Sequence, residues 1–565
     1  MSIMRSINLT ALIHLLLVCS SAHADMAIPG RPSANMPTLP ELVPSPKKPD
    51  FSLPPAPHIV APEQIQSGSV RIFLRAVEIE GNTVFSDEQL QTIAKPYLGR
   101  PVSLTDLEAL REAFTQHYID KGYINSGALL PDQTFKHGVI RYRIIEGRLS
   151  AIQVSGTDRL NPAYVSSRLR LGAQSPLNFH TLQERFQMLL TDPLIERMYG
   201  RLMPGRQPGE SIFDVKIVRE RPYQLNVGFN NHRPPSVGAE QGTLNGWVRN
   251  LTGWGDEFNL DIVYSEGSLA GGGGVSVPLT PYDTRFHFNF SLSQTTVIEQ
   301  PLDDLDIKSR YSGYNFALTQ PLYQSLQHNL SFGSTLSIRK NQMELLGIDF
   351  PFSAGDDNNG RSQSTAVRNA LDYTYRDEQQ ALAFRSTLSV GVHAFGATWW
   401  NNRQADSDFV SWLNQIQYAR QILPNGTQVL FNSAVQWSND SLLPLERFAL
   451  GGARGVRGYR ENDLVRDQGY LLSLEFRYPL FDNGADGFPG KLSLAPFMDY
   501  GEAWNRGYGQ TSRALHSLGT GLIWNPFQRV HAEIYYAHAL NAPPPQRDRN
   551  LQDEGIHFSV TIAAF

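Results

Sequence analysis

Cysteine is nearly absent from this 565-residue chain; the one copy, Cys19, lies in a segment that reads as a removable leader. With no other thiol, disulfides and cysteine-ligated metal sites are excluded from the rest of the chain. Charge is scarce as well. Asp, Glu, Lys and Arg make up 18%, below the roughly 25% usual for soluble domains. The net charge of −5 argues against a nucleic-acid-binding surface. No apolar run reaches the roughly 20 residues that a helix needs to cross a bilayer. Nucleotide and hydrolase signatures are missing too. There is no GxxxxGK[ST], no GxSxG, and no recognisable spacing among the serines and histidines. Gly271 to Gly274 is followed by neither a lysine nor a helix start, so it reads as a bent strand rather than a phosphate loop. The expectation is no enzyme, no catalytic residue, no cofactor and no metal.

What is present is glycine, 46 copies, and aromatic side chains, 10% of the chain. Little charge, many aromatics and no long apolar run suit a transmembrane β-barrel, whose lipid face is spread over alternate residues. Residues 1–24 carry a basic start at Arg5, an apolar stretch from Leu9 to Val18 and the small exit Ala22-His23-Ala24, which predicts a signal peptide. Residues 25–70 hold a proline every few positions and predict an extended linker with no helical plug.

Residues 71–147 and 148–220 form an internal repeat. "VEIEGNTVFSDEQL" aligns with "IQVSGTDRLNPAYV", and "RPVSLTDLEALREAF" with "SPLNFHTLQERFQML". Each unit reads strand, helix, helix, strand, strand. Neither holds a catalytic cluster, and small repeated modules of this kind more often bind than react.

From 221 to 565 the pattern is strand after strand, one face apolar and one polar, in about sixteen segments. "YQLNVGF" opposes Leu225, Val227 and Phe229 to Gln224, Asn226 and Gly228. Short turns such as "TGWGD" and "LPNG" alternate with long polar loops, as in outer-membrane barrels. One loop, 438–466 after the eleventh strand, is unusual. It packs Gly451, Gly452, Gly455 and Gly458 among Arg454, Arg457 and Arg460. A solvated loop has no need of that composition. In "FMDYGEAW" the alternation turns Asp499 toward the lumen, where it is the natural partner for an arginine folded inward.

This combination resembles the TpsB transporters of two-partner secretion, members of the superfamily that includes the bacterial outer-membrane-protein insertase. The resemblance implies a sixteen-stranded barrel preceded by two POTRA-like α+β modules. It makes Val456, Arg457, Gly458 and Tyr459 the motif of an inward-folded loop, and Asp499 and Gly501 its partners on the barrel wall. It gives Phe565 as the terminal residue of an assembly signal read by the barrel assembly machinery. It further implies an outer-membrane location with the modules in the periplasm, contact with outer-membrane lipid, a monomer, and an unfolded secreted exoprotein as partner. An assembly factor of the same superfamily is the alternative reading, followed by a barrel enzyme and a passive porin.

Overall fold

A computed structural model describes residues 36–40, 51–52, 71–135, 137–353, 355–399, 405–481, 489–506, 512–541 and 548–564. The leader, most of the proline-rich segment and Phe565 lie outside them.

The first module is built on a three-stranded sheet in which Val139–Ile145 lies between Ala76–Glu80, parallel, and Gly127–Leu129, antiparallel. Two helices, α1 (Asp87–Ala94) and α2 (Leu104–Asp120), cover it. Both start where the sequence offers a capping box: Ser86 with Gln89, and Ser103 with Asp106. Their apolar faces supply Leu90, Leu107, Leu110 and Phe114 to a core closed by Tyr142 from the sheet. Glu146, just past the last strand, caps the chain reversal after the first: it accepts from the backbone N–H of Thr83 (2.6 Å) and Val84 (2.8 Å) and from the Tyr118 hydroxyl (2.9 Å). Burial pushes this carboxyl up, but the bonds from Thr83, Val84 and Tyr118 outweigh it and hold its pKa below the usual glutamate value.

The second module repeats the plan with α3 (Pro162–Arg170) and α4 (Phe179–Leu189) over Arg148–Ser155, Ile195–Pro204 and Glu210–Arg219. Pro162 sits at the first helical position behind an Asn161 cap, where its missing N–H costs nothing. Leu182, Phe186, Phe213 and Val215 form a separate core. Beyond Ile195–Pro204 the sheet gains a further strand. Phe51–Ser52, from the proline-rich segment, pairs with it in parallel, Phe51 opposite Gly200 and Ser52 opposite Arg201.

The rest of the described chain closes into one antiparallel barrel of sixteen through-going strands, from Tyr223–Asn230 to Ile556–Ala563. Its closing seam is short, running from Asn226 opposite Ala563 to Asn230 opposite Ser559. Alternation sorts the side chains. On Arg285–Thr296 the outward Phe286, Phe290 and Leu292 are exposed, whereas Ser293 and Thr295 are buried toward the lumen. The bilayer covers that outward face, so its exposure to water is not a cost. No helix among the described residues is long and apolar enough to cross a membrane.

The second module sits on the short-turn end of the barrel. Asn161 donates its backbone N–H to the Gly253 carbonyl (2.8 Å) in the turn after the second barrel strand. Arg168 stacks 3.6 Å from the Tyr164 ring centroid and pairs with Asp283 at 3.2 Å in the next such turn. Gly255 fits against Tyr164 because a Cβ there would lie 2.5 Å from the ring.

Candidate functional site: an arginine loop folded into the barrel

The eleventh strand, Gln428–Ser438, and the twelfth, Gln468–Phe481, are joined by the glycine- and arginine-rich loop. It turns inward. Within it Phe448–Leu450 and Leu464–Arg466 pair as a two-stranded stalk, a feature the sequence reading did not foresee, and residues 451–463 form the tip. The stalk and tip bury Phe448, Leu450, Val456, Tyr459 and Leu464 against the lumen residues Leu413, Leu471 and Leu515.

Arg457 is the centre of the tip. Its Nε donates to Asp499 Oδ2 at 2.8 Å and Nη2 to Asp499 Oδ1 at 2.9 Å, a bidentate fork. The Arg457 backbone N–H also reaches Asp499 Oδ2, at 3.0 Å. A second carboxylate, Glu475 on the twelfth strand, takes Nη1 at 2.5 Å, and Ser473 Oγ accepts from Nη2 at 3.2 Å. The guanidinium lies 3.4 Å from the Phe497 ring centroid and 4.9 Å from that of Tyr535. Glu475 also pairs with Arg477 at 2.7 Å, so two guanidiniums face two carboxylates and the cluster is neutral. The Arg457 side chain is 7% exposed and that of Asp499 is 0% exposed. Ions so far out of water must be paired and hydrogen-bonded, and these are.

The neighbouring residues fit the tip to the wall. Gly458 has φ +90°, and a Cβ there would come within 3.1 Å of Ala537 backbone and side-chain atoms. Its N–H donates to His557 Nε2 (3.2 Å) on the sixteenth strand. Gly501 leaves room for the tip: a Cβ would lie 3.0 Å from Leu450 and 3.1 Å from Val456. Gly455 has no positive φ; its lack of a side chain matters because a Cβ would fall 2.7 Å from the Gly451 carbonyl. The Tyr459 hydroxyl points to the carbonyls of His516 and Asn541, both at 3.1 Å.

Arg460 joins loops rather than strands. It pairs with Glu299, between the fifth and sixth strands, at 2.5 Å and with Asp553, between the last two strands, at 2.6 Å. Sequence reasoning counted Arg460 among the loop arginines and gave it no partner; Glu299, Glu475 and Asp553 were missed. Glu475 carried a signal in its phase, since in "SLEFRY" it shares the lumen face of Ser473. The proline-rich segment departs from the plain-linker expectation. Met36 lies inside the barrel, packed against the loop cluster, with the Gln415 side-chain amide 3.4 Å from its sulfur. Prolines forbid a helix there but not an extended strand of chain, and residues 36–40 are not helical. Among the described residues no group of three or more His, Asp or Glu is placed to hold a metal.

A sixteen-stranded barrel with small α+β modules at its short-turn end and a loop locked inside its lumen defines an outer-membrane β-barrel transporter. Residues 209–523 match the model of the haemolysin secretion/activation protein family ShlB/FhaC/HecB, and residues 72–147 match that of the ShlB-type POTRA domain. The chain belongs to the ShlB/FhaC/HecB family, and its modules face the periplasm. Similar relatives include the heme/hemopexin transporter protein HuxB of Haemophilus influenzae strain 86-028NP, 24% identical over 498 residues, covering 83% of this chain and 82% of the relative. The outer membrane transporter CdiB of Escherichia coli is 24% identical over 429 residues, covering 72% of this chain and 69% of the relative. The solved structure of CdiB from Escherichia coli shares the fold, with a TM-score of 0.66 at 20% identity over 90% of this chain and 93% of that one.

Proposed function

We propose that this protein secretes a partner exoprotein across the outer membrane, its two periplasmic modules receiving the unfolded cargo and its barrel passing the cargo outward as an extended chain. The observation that carries the reading is the junction of module and barrel. The second module is bolted to the periplasmic turns through Asn161–Gly253 and Arg168–Asp283, and its sheet accepts an extended strand at the Ile195–Pro204 edge. Phe51–Ser52 occupies that edge here. A cargo strand offering the same backbone donors and acceptors would add to it in exchange, with side-chain contacts setting specificity.

The loop supplies the gate. With Arg457 on Asp499 and Glu475 the tip fills the lumen beside the twelfth to sixteenth strands, so passage requires the tip to leave this position. No ATP-binding signature is present, and export draws instead on folding of the cargo outside. HuxB is named for heme/hemopexin transport and a further relative, HpmB of Proteus mirabilis, for hemolysin transport, which makes a protein of that kind the first cargo to try.

The test is co-expression of the chain with a candidate exoprotein encoded beside it, followed by separation of cells from medium. Export should require residues 71–220 and should fail in their absence with the barrel still in the membrane. Undiminished export without both modules would refute the receptor role. Loss of other outer-membrane barrels on depletion of this chain would favour the assembly-factor alternative.

A further inference from the structure

The contacts of Arg457 account for the tip of the loop and leave its base unexplained. The base, between the end of the eleventh strand and the stalk, is the run Ser441 to Arg447. In it Leu442, Leu443 and Leu445 are fully buried, and one carboxylate, Glu446, is buried among them at 1% exposure. Glu446 faces the seventh and eighth strands, not the twelfth and thirteenth that Arg457 uses. Arg368 on the eighth strand, Arg361–Arg376, donates from one Nη to both of its oxygens, at 2.7 and 2.8 Å. Ser364 donates its hydroxyl at 2.7 Å. Arg339 on the seventh strand, His328–Leu345, stands 3.8 Å away and donates to the Leu445 carbonyl at 3.1 Å. One carboxylate thus serves two buried guanidiniums, and Nε of each lies buried without a hydrogen-bond partner.

The two legs of the loop are also tied to each other here. Gln436 Nε2 donates to the carbonyls of Glu446 (3.0 Å) and Asp467 (3.1 Å). The Asp467 carboxylate, in a residue 1% exposed, accepts from the Leu442 N–H at 3.0 Å, Arg447 Nε at 3.2 Å and the Arg506 N–H at 2.9 Å. The base therefore combines fully buried leucines with an ion cluster that has no spare carboxylate. The tip combines glycines and two buried side chains, Val456 and Tyr459, with an ion cluster that is neutral and complete. These two halves differ in what release would cost. Freeing the tip exposes Val456 and Tyr459 and leaves one carboxylate, Asp499, without its cation, whereas freeing the base exposes three fully buried leucines and leaves two guanidiniums without a carboxylate.

We infer that Glu446 is the fixed anchor of the loop, a positioning residue that holds the base on the seventh and eighth strands while the tip moves. This rests on reading the loop as the gate of an export pore, but its test needs no cargo. The full-length chain in liposomes is followed by amide hydrogen exchange in peptides covering residues 442–449 and 451–461, in wild type, Arg457→Ala and Glu446→Gln. Arg457→Ala should speed exchange of the tip peptide by roughly tenfold or more and leave the base peptide at its wild-type rate. Glu446→Gln should speed exchange of both. A base peptide that follows the tip in Arg457→Ala would show the loop leaving as one piece and would overturn the inference. So would a base peptide unchanged in Glu446→Gln. If Glu446→Gln fails to assemble, as judged by heat-modifiable gel mobility, Arg368→Lys keeps the charge and removes the planar fork. It should then speed exchange of the base peptide, and a wild-type rate there would equally overturn the anchor. Failure of the export reading would abolish cargo release and leave this exchange pattern untouched, so the two failures are distinguishable.

Discussion

Replacing Arg457 by alanine removes the fork on Asp499, the bond to Glu475 and the stacking on Phe497 in one step. Glu475 keeps Arg477 at 2.7 Å, so the loss falls on Asp499, a carboxylate whose side chain is wholly shielded from solvent. Breaking a buried pair by removing one partner costs about 3–5 kcal/mol. That moves the balance between docked and released tip by a factor of roughly 10² to 10⁴ toward release. The barrel itself stands on sixteen paired strands and should still form. The defect is therefore expected in the lumen, as larger and more frequent conductance steps across a planar bilayer in potassium chloride, with the heat-dependent shift in gel mobility retained. The decisive variant is the double one. Arg457→Ala with Asp499→Ala removes both charges and leaves Glu475 balanced by Arg477. It should release the tip less than Arg457→Ala alone, with a coupling of about 1–3 kcal/mol between the two sites. A double variant as open as the sum of the two singles would refute the buried-pair argument. Lysine at position 457 should restore little, since it carries the charge without the bidentate geometry or the flat face over Phe497.

Gly501→Val should push the tip away from the thirteenth strand, because its first added carbon already lies 3.0 Å from Leu450; overpacking of this kind costs about 1–3 kcal/mol, and raised conductance with an assembled barrel is the readout. In the soluble fragment 71–220, Glu146 has its pKa depressed in the folded state, so its contribution is complete above the unfolded value and is lost as pH falls through the folded one. Thermal melts should therefore show a steeper acid-side loss for wild type than for Glu146→Gln below about pH 4.3, and identical slopes would remove Glu146 from that role. Asp283→Ala should loosen the second module from the barrel by freeing Arg168, increasing protease cleavage between residues 219 and 223 without altering conductance; unchanged cleavage would mean that the Asn161–Gly253 contact suffices.

The sequence exposes most of this fold because a barrel wall has two solvents. Lipid outside and water or packed polar groups inside impose a period of two on every strand, and the phase of "FMDYGEAW" is enough to turn Asp499 inward. Gly458 stands out because glycines crowd the loop arginines, whereas Gly501 is marked only by the resemblance of "FMDYG" to the family's barrel motif. The second carboxylate, Glu475, is hidden because one acidic residue on a polar lumen face looks like any other. Glu446 is hidden differently. In "SLLPLERFAL" it is the only acidic residue and stands beside Arg447, and charge inside an apolar run implies buried partners, but nothing local says that the partner of Glu446 is Arg368, on a strand 78 residues earlier in the chain. Met36 on Gln415 spans 379 residues, and no periodicity reports on such a contact.

The ion pairs at the centre of the tip have a property that the buried apolar side chains around them lack. Buried pairs add little net stability compared with a well-packed apolar plug, because desolvation consumes most of the Coulombic gain. What they add is geometry: the fork on Asp499 accepts one position of Arg457 and rejects its neighbours. When water enters with an extended chain, the same charges regain hydration, so the cost of undocking falls as the lumen fills. An apolar tip would respond in the opposite way and hold harder against a wet channel. The Arg457 cluster is thus suited to a gate that closes in one defined place and releases when the path is occupied, and the surrounding strands need not separate for it to do so.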